Sequence, residues 1–340
     1  MKKRILVMFI AIAMIFSLVA CADDGSDDAS TSDEPADEPA EVTDEADGED
    51  DSDDAGDSEG GLKFGYTYWA ASDFFTTIGE AVIEIAEENG DEVIVVDAQQ
   101  DQANQISIIE DFITQGVSAV FLNPVDREGI EPALDMLNEA GIPIINVDTA
   151  VASIDKVDSY VASDNYGAGV QSAEKLMELV PEGGEVAILD YPANSAILDR
   201  VQGFIDTIEG SGFEVVAQQD AEGKPGPGLE KTQDILQANP NIVAIFAGND
   251  QCGQGAYAAV NEAGSDALVL GVDGSPEGKE YVLEGKGFVA TAAQSPIKMG
   301  QESINTAYKI LNGEDFEEEI AVPTFIIDID NVNDYLDGWQ

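Results

Sequence analysis

At 340 residues the chain has length for about two ordinary domains, and 44% hydrophobic content is enough to bury real cores. Charge is the outlier: 69 Asp and Glu against 14 Lys and Arg give a formal net charge of −55, with no histidine. That balance argues against a nucleic-acid partner held by phosphate contacts, and the missing histidine removes His-type zinc sites, the Ser-His-Asp triad and the Cys-His dyad. An enzyme here would have to use carboxylates or a cofactor. Cys21 lies beside an apolar segment and Cys252 deep in a periodic region, so the two are not expected to pair.

Residues 1–20 read as a signal peptide. Lys2, Lys3 and Arg4 precede an apolar stretch from Ile5 to Ala20 broken only by Ser17, which is short for a membrane span. The sequence Leu18-Val19-Ala20-Cys21 resembles the lipobox of bacterial lipoproteins, which implies that Cys21 receives lipid and becomes the mature N-terminus. Residues 22–61 hold 19 Asp or Glu and no Lys or Arg, without apolar periodicity. Such a segment cannot build a core, and self-repulsion extends it. Residues 21–61 therefore read as a lipidated cysteine and a disordered acidic tether. An acidic calcium-binding tract is the alternative, but no EF-hand spacing supports it.

From Lys63 short β-branched runs alternate with amphipathic stretches. Asp91 to Asp97 (DEVIVVD) reads as a strand, Ala103 to Gln115 as a helix, and Gly116 as its stop. Further predicted strands are Phe64 to Trp69, Ala119 to Leu122, Pro143 to Val147, Glu185 to Leu189, Ile242 to Phe246, Ala267 to Val272 and Phe288 to Ala292. The alternation indicates βαβ units and parallel sheets. Two doubly wound lobes fit the number of units, although periodicity equally allows one large sheet or a closed barrel. No Walker A pattern and no G-x-G-x-x-G opening a helix supports nucleotide binding.

Polar residues break the pattern at the C-terminal ends of these strands: Asn123, Asp148, Asn249 and Asp273. Ligands of open α/β sheets bind along that edge. Each residue alone also suits a helix cap or a turn; four together, with Arg200 in a helical segment (SAILDRVQGF), point to a polar small-molecule site.

A series of motifs then occurs in order: Ser72-Asp73-Phe74-Phe75, Asn123-Pro124-Val125-Asp126, Val147-Asp148, Ala162-Ser163-Asp164-Asn165, Arg200 with Gly203-Phe204, Phe246-Ala247-Gly248-Asn249-Asp250, Gly271-Val272-Asp273-Gly274 and Ala293-Gln294. From Leu62 to Gln340 the series resembles the ribose-binding branch of the periplasmic sugar-binding proteins. The resemblance implies two α/β lobes joined by three crossovers (the type I periplasmic binding protein fold), with residues 62–163 and 295–320 in the N-terminal lobe and residues 164–294 and 321–340 in the C-terminal lobe. It also implies no enzymatic activity, no cofactor or metal, a monomer, a sugar enclosed by hinge closure, and delivery to an ABC permease outside the cytoplasm. The ligand shell it implies is Tyr68, Ser72, Phe74, Phe75, Asn123, Asp148, Arg200, Asn249, Asp273 and Gln294.

The chemistry suits a sugar: carboxylates accept from paired hydroxyls, Asn and Gln donate and accept, Arg supplies up to five donors, and a ring offers an apolar face. Plainer roles stand beside these. Phe75 also reads as core, Gln294 as a hinge residue and Cys252 as a small buried apolar residue, while Asp73, Asp126, Asp164 and Asp250 read as caps or hinge contacts. Tyr68 and Trp69 alternate along one strand, so only one faces the cleft.

The chain departs from the family pattern at two places. Thr149 stands where an Arg follows the first-lobe Asp, and Gly223-Lys224-Pro225-Gly226-Pro227-Gly228 offers no ring where the pattern has a second-lobe aromatic. A strict pentose site is therefore not implied, and Trp69 or Tyr68 would have to compensate. The rival readings are a sensor feeding a chemoreceptor or signalling partner, the core of a sugar-responsive repressor without its basic helix-turn-helix, and a glycosidase pairing Asp148 with Asp273. The acidity adds a further expectation. Residues 62–340 keep 50 acids and 11 bases, a net −39, and a body of roughly 29 kDa exposes about 11,000 to 12,000 Å². Excess charges then stand about 17 Å apart, close enough to repel in dilute buffer but not in molar salt, as in a protein adapted to high salt.

Overall fold

The computed structural model describes residues 61–340. The signal peptide, Cys21 and the tether up to residue 60 lie outside the described residues. No helix among the described residues is long and apolar enough to cross a membrane.

The first lobe is built on β1 (Lys63–Tyr68), β2 (Glu92–Asp97), β3 (Ala119–Leu122), β4 (Ile144–Val147) and β5 (Ser159–Ser163), with α1 (Asp73–Glu88), α2 (Gln102–Gln115) and α3 (Glu131–Ala140) between them. The chain then enters the second lobe through α4 (Asn165–Leu179). That lobe comprises β6 (Gly184–Asp190), α5 (Ser195–Ile208), β7 (Phe213–Asp220), α6 (Pro225–Ala238), β8 (Ala244–Ala247), α7 (Asp250–Ala263), β9 (Leu268–Asp273), α8 (Pro276–Glu284) and β10 (Phe288–Ala293). It returns through α9 (Pro296–Leu311) and β11 (Glu319–Val322), and crosses a third time into β12 (Phe325–Asp328).

Two open six-stranded sheets result, in the orders β11-β5-β4-β3-β1-β2 and β12-β10-β9-β8-β6-β7, which decides against the single sheet and the closed barrel. All pairs are parallel except β12 on β10. The ladder of β11 on β5 runs to the pair Val322↔Ser163. The third crossing therefore falls at residues 323–324, not after residue 320, because two further residues still pair in the first sheet.

The central strands β3, β4 and β8 are buried along their whole length, as expected for parallel strands covered on both faces. Helix ends follow local chemistry: the Asp101 side chain caps α2, and Gly116, at φ 66°, ends it in the left-handed region. Close approach of α4 to α5 requires glycine, because a Cβ on Gly169 would overlap the Arg200 carbonyl and one on Gly203 the Tyr166 carbonyl. That contact sets Arg200 against α4.

Candidate functional site

Six of the ten expected shell residues stand at the carboxyl ends of strands. Tyr68 ends β1, Asn123 follows β3, Asp148 follows β4, Asn249 follows β8 by two residues, Asp273 ends β9 and Gln294 follows β10. Each β-strand delivers its last polar residue to the same edge because all strands bearing them are parallel.

On the first lobe, Asn123 is fully buried. Its Nδ2 donates to the Val147 carbonyl (3.1 Å) and to Asp148 Oδ2 (3.3 Å). Thr149 Oγ1 donates to the same Asp148 oxygen at 2.9 Å, so Thr149 serves the carboxylate as a neutral donor. Asp148 holds a left-handed backbone, φ 64°, and its carbonyl accepts from Tyr160 Oη at 2.7 Å. Burial is the main reason its carboxyl is pushed up to about 6; the Thr149 hydrogen bond and the nearby Arg200 charge pull it down, and Asp273 pushes it up. Arg200 and Asp273 belong to the other lobe, so the two walls are within electrostatic reach of each other.

On the second lobe, Arg200 is 4% exposed. Its Nε donates to Asn165 Oδ1 (2.9 Å), and its Nη1 to the Gly248 carbonyl (2.9 Å) and to Asp273 Oδ1 (3.1 Å). Gln294 Nε2 donates to that Asp273 oxygen at 2.8 Å, while Gln294 Oε1 is buried with no partner. The second Asp273 oxygen accepts from the Asp250 backbone at 3.4 Å, and Asp273 has φ 143°. Burial holds the Asp273 carboxyl above its usual range despite Arg200 and Gln294.

Other expected residues are spent locally. Ser72, exposed at the head of α1, accepts from the Phe75 N–H at 3.4 Å. Asn249 caps α7 through Cys252 N–H (3.0 Å) and donates to the Gly223 carbonyl (3.1 Å). Tyr68 and Phe75 are both 6% exposed and belong to the first-lobe core, their rings stacked at 6.0 Å and 10°. Phe74 is half-buried and meets Phe75 edge to face at 5.4 Å. Trp69, half-exposed, meets Phe75 edge to face at 6.3 Å, and its backbone N–H donates to Asn123 Oδ1 at 3.4 Å. Cys252 is buried.

Asp126 caps an exposed turn through the Glu128 and Gly129 N–H groups, and Asp164 caps α4 at the first crossing. Asp250 is not the cap of α7, a role Asn249 takes. It is 3% exposed and accepts from Ser275 N (2.9 Å), Ser275 Oγ (2.8 Å) and Thr291 Oγ1 (2.7 Å). Burial and the neighbouring Asp273 charge hold its carboxyl above the usual range. Its reading as a cap or hinge contact missed these bonds because they come from residues 25 and 41 positions away. Arg127 was equally unassigned: its charge acts on Asp199 of the other lobe, and its Nε donates to the Ala150 carbonyl at 2.6 Å. Among the described residues no cluster of carboxylates or Cys could hold a metal ion.

Residues 64–315 match the family model described as the periplasmic binding protein domain. The chain is 36% identical over 251 residues to the ribose import binding protein of Bacillus subtilis, covering 74% of this chain and 81% of that protein. Among solved structures it is similar to an ABC transporter solute binding protein from Bacillus halodurans with bound myo-inositol, at TM-score 0.74, 30% identity, and coverage of 84% of this chain and 100% of that one. A periplasmic solute binding protein from Actinobacillus succinogenes with bound D-allose matches at TM-score 0.74 and 29% identity, covering 81% of this chain and 100% of that one.

Proposed function

This chain belongs to the periplasmic binding protein family, and from that premise we propose that it captures a monosaccharide or close cyclic polyol between its lobes and delivers it to an ABC permease. It is a binding protein and not an enzyme, like the import and solute-binding relatives it matches. The observation that carries the ligand class is the mixed hydrogen-bonding edge formed by Asn123 and Asp148 on one side and Arg200, Asp273 and Gln294 on the other. The buried, partnerless Gln294 Oε1 supports it, because such an acceptor is costly unless something donates to it. A hydroxyl, which donates and accepts at once, is the group that serves such an edge. Ribose, D-allose and myo-inositol, named with the relatives, all present hydroxyls of this kind.

Thermal-shift and calorimetric titration with those three compounds and related pentoses tests the reading. A dissociation constant in the micromolar range or tighter for at least one, with the compound recovered unchanged by mass spectrometry, is the expected result; no binding across the set would overturn it. The lipid anchor at Cys21 rests on the lipobox-like sequence alone. Cys21→Ser should move the protein from the membrane fraction to the soluble one, and unchanged membrane association removes that part of the proposal.

A further inference from the structure

The segment after β12 returns to the ligand edge and carries an aromatic side chain that no part of the functional reading uses. It is fastened to the second lobe: Val332 is buried in that lobe's core, and Tyr335 packs on Phe325 at 5.0 Å. Lys279, fully buried, donates its ammonium to the Gly338 carbonyl. From that anchor Trp339 reaches the first lobe, where its ring meets Phe74 edge to face at 5.2 Å and 74°. Its indole Nε1 is buried and has no hydrogen-bond partner. Gln340 Oε1 is also buried and partnerless, and it stands 2.8 Å from where a Cβ on Gly274, the residue after Asp273, would be. Around Asp273 and Phe74 there are thus three unpartnered polar atoms, two acceptors on Gln294 and Gln340 and one donor on Trp339. A buried indole N–H costs free energy unless an acceptor meets it.

Resting on the sugar-binding reading, we propose that Trp339 is a ligand-contacting, specificity-determining residue. Its ring closes the cleft beside Phe74 against an apolar face of the sugar, and its N–H donates to a ring or hydroxyl oxygen. Trp combines a large, rigid apolar surface with one fixed donor and loses little entropy when it is held. It also supplies a second-lobe aromatic, which the glycine-rich stretch at Gly223 lacks.

Trp339→Phe keeps a ring and removes the donor; Trp339→Ala removes both. The full chain is titrated with D-ribose, D-allose and myo-inositol, and whichever binds the wild type most tightly becomes the probe. Affinity for the probe is expected to fall about 3- to 10-fold in Trp339→Phe and further in Trp339→Ala, with the melting temperature of the Phe variant unchanged. In a Trp69→Phe background Trp339 is the remaining tryptophan, and saturating probe should shift its emission. Wild-type affinity in Trp339→Phe, or no emission change in the Trp69→Phe protein, overturns the inference while leaving the function standing. A wild type that binds none of the three overturns both.

Discussion

In the second lobe Asp273 is in contact with Arg200 and Gln294, whereas in the first lobe Asp148 has only the neutral donors of Asn123 and Thr149 against it. Both carboxylates are half-buried and both are pushed up by the loss of solvent around them, but only one has its compensating cation attached. The Arg200–Asp273 pair is assembled within one lobe from α5 and the end of β9, so it does not depend on closure. Asp148 gains its opposite charge only from Arg200 across the cleft. The second lobe is thus a preorganised polar wall, and the first holds one carboxylate whose only opposite charge lies across the cleft. A single guanidinium serves both sides.

The largest expected effect follows from that shared role. Arg200→Ala leaves Asp273, Asn165 and the Gly248 carbonyl without their donor, and it removes the only described cation acting on Asp148 among the causes of its shift. Truncating one partner of a buried charged pair costs about 2 to 5 kcal/mol of binding, a loss of about 30-fold to several thousand-fold. Calorimetry on folded variant is the measurement. Asp273→Ala should lose a comparable amount, and Asp126→Ala, in an exposed turn, should lose little. Equal, small losses at Arg200 and Asp126 would break the assignment of the second lobe as the preorganised wall.

The next effect is smaller and separates the two carboxylates. Asp148 has a folded-state value of about 6 against an ordinary 3.8, so the folded protein holds this proton where the unfolded chain has released it. Its contribution to stability is therefore fully present below about pH 4 and is lost as pH rises through 6. Binding runs the other way, since the ionised form is the stronger acceptor for sugar hydroxyls. Affinity should fall several-fold between pH 7.5 and 5, and Asp148→Asn, which tolerates the left-handed backbone, should flatten that profile while binding more weakly at pH 7.5. An Asp148→Asn profile as steep as the wild type's would assign the titration to the second lobe instead.

The unequal walls also explain what the sequence did and did not disclose. The strand-end residues were legible because a polar residue closing a buried β-branched run breaks a strong pattern, as at Asn123 after AVFL and Asp148 after IINV. Eight strands were legible for the same reason. The other four, β5, β7, β11 and β12, were not predicted: β11 and β12 are four-residue strands, β7 ends in Gln-Gln-Asp, and β5 begins and ends in Ser. Three of them are sheet edges, where half-exposed backbone imposes less hydrophobic patterning. Within the site, the stacking of Tyr68 on Phe75 and the share of Tyr68 in the first-lobe core were not legible, since it takes the fold to bring the end of β1 against the head of α1. Trp339 carried no local signal and Asp250 only that of a cap or hinge contact; their positions come from contacts with distant residues.

One property is common to both walls and gives the smallest effect. Residues 62–163 with 296–322 hold 25 acids and five bases, and residues 164–295 with 323–340 hold 25 acids and six bases, so the lobes carry −20 and −19. Several of the few cations are not at the surface: Arg200 and Lys279 are buried, and the Lys175 side chain is only 12% exposed beside Asp328. Under the proposed capture of a sugar between the lobes, closing the cleft would bring two strongly negative bodies together, and their repulsion would oppose both folding and closure. The screening length is about 10 Å at 0.1 M salt and about 3 Å at 1 M, both shorter than the roughly 17 Å spacing estimated from the exposed area, so a repulsion already cut to about a fifth at 0.1 M is erased at 1 M. Raising KCl across that range should increase Tm by several degrees and tighten sugar affinity a few-fold, whereas a ligand contact dominated by a charged sugar substituent would weaken. Chloride is the anion to use, because sulfate strengthens hydrophobic burial on its own. The two readouts part company if repulsion acts within each lobe and not between them: Tm then rises while affinity stays flat. A flat Tm would remove electrostatic self-repulsion as a force on this fold.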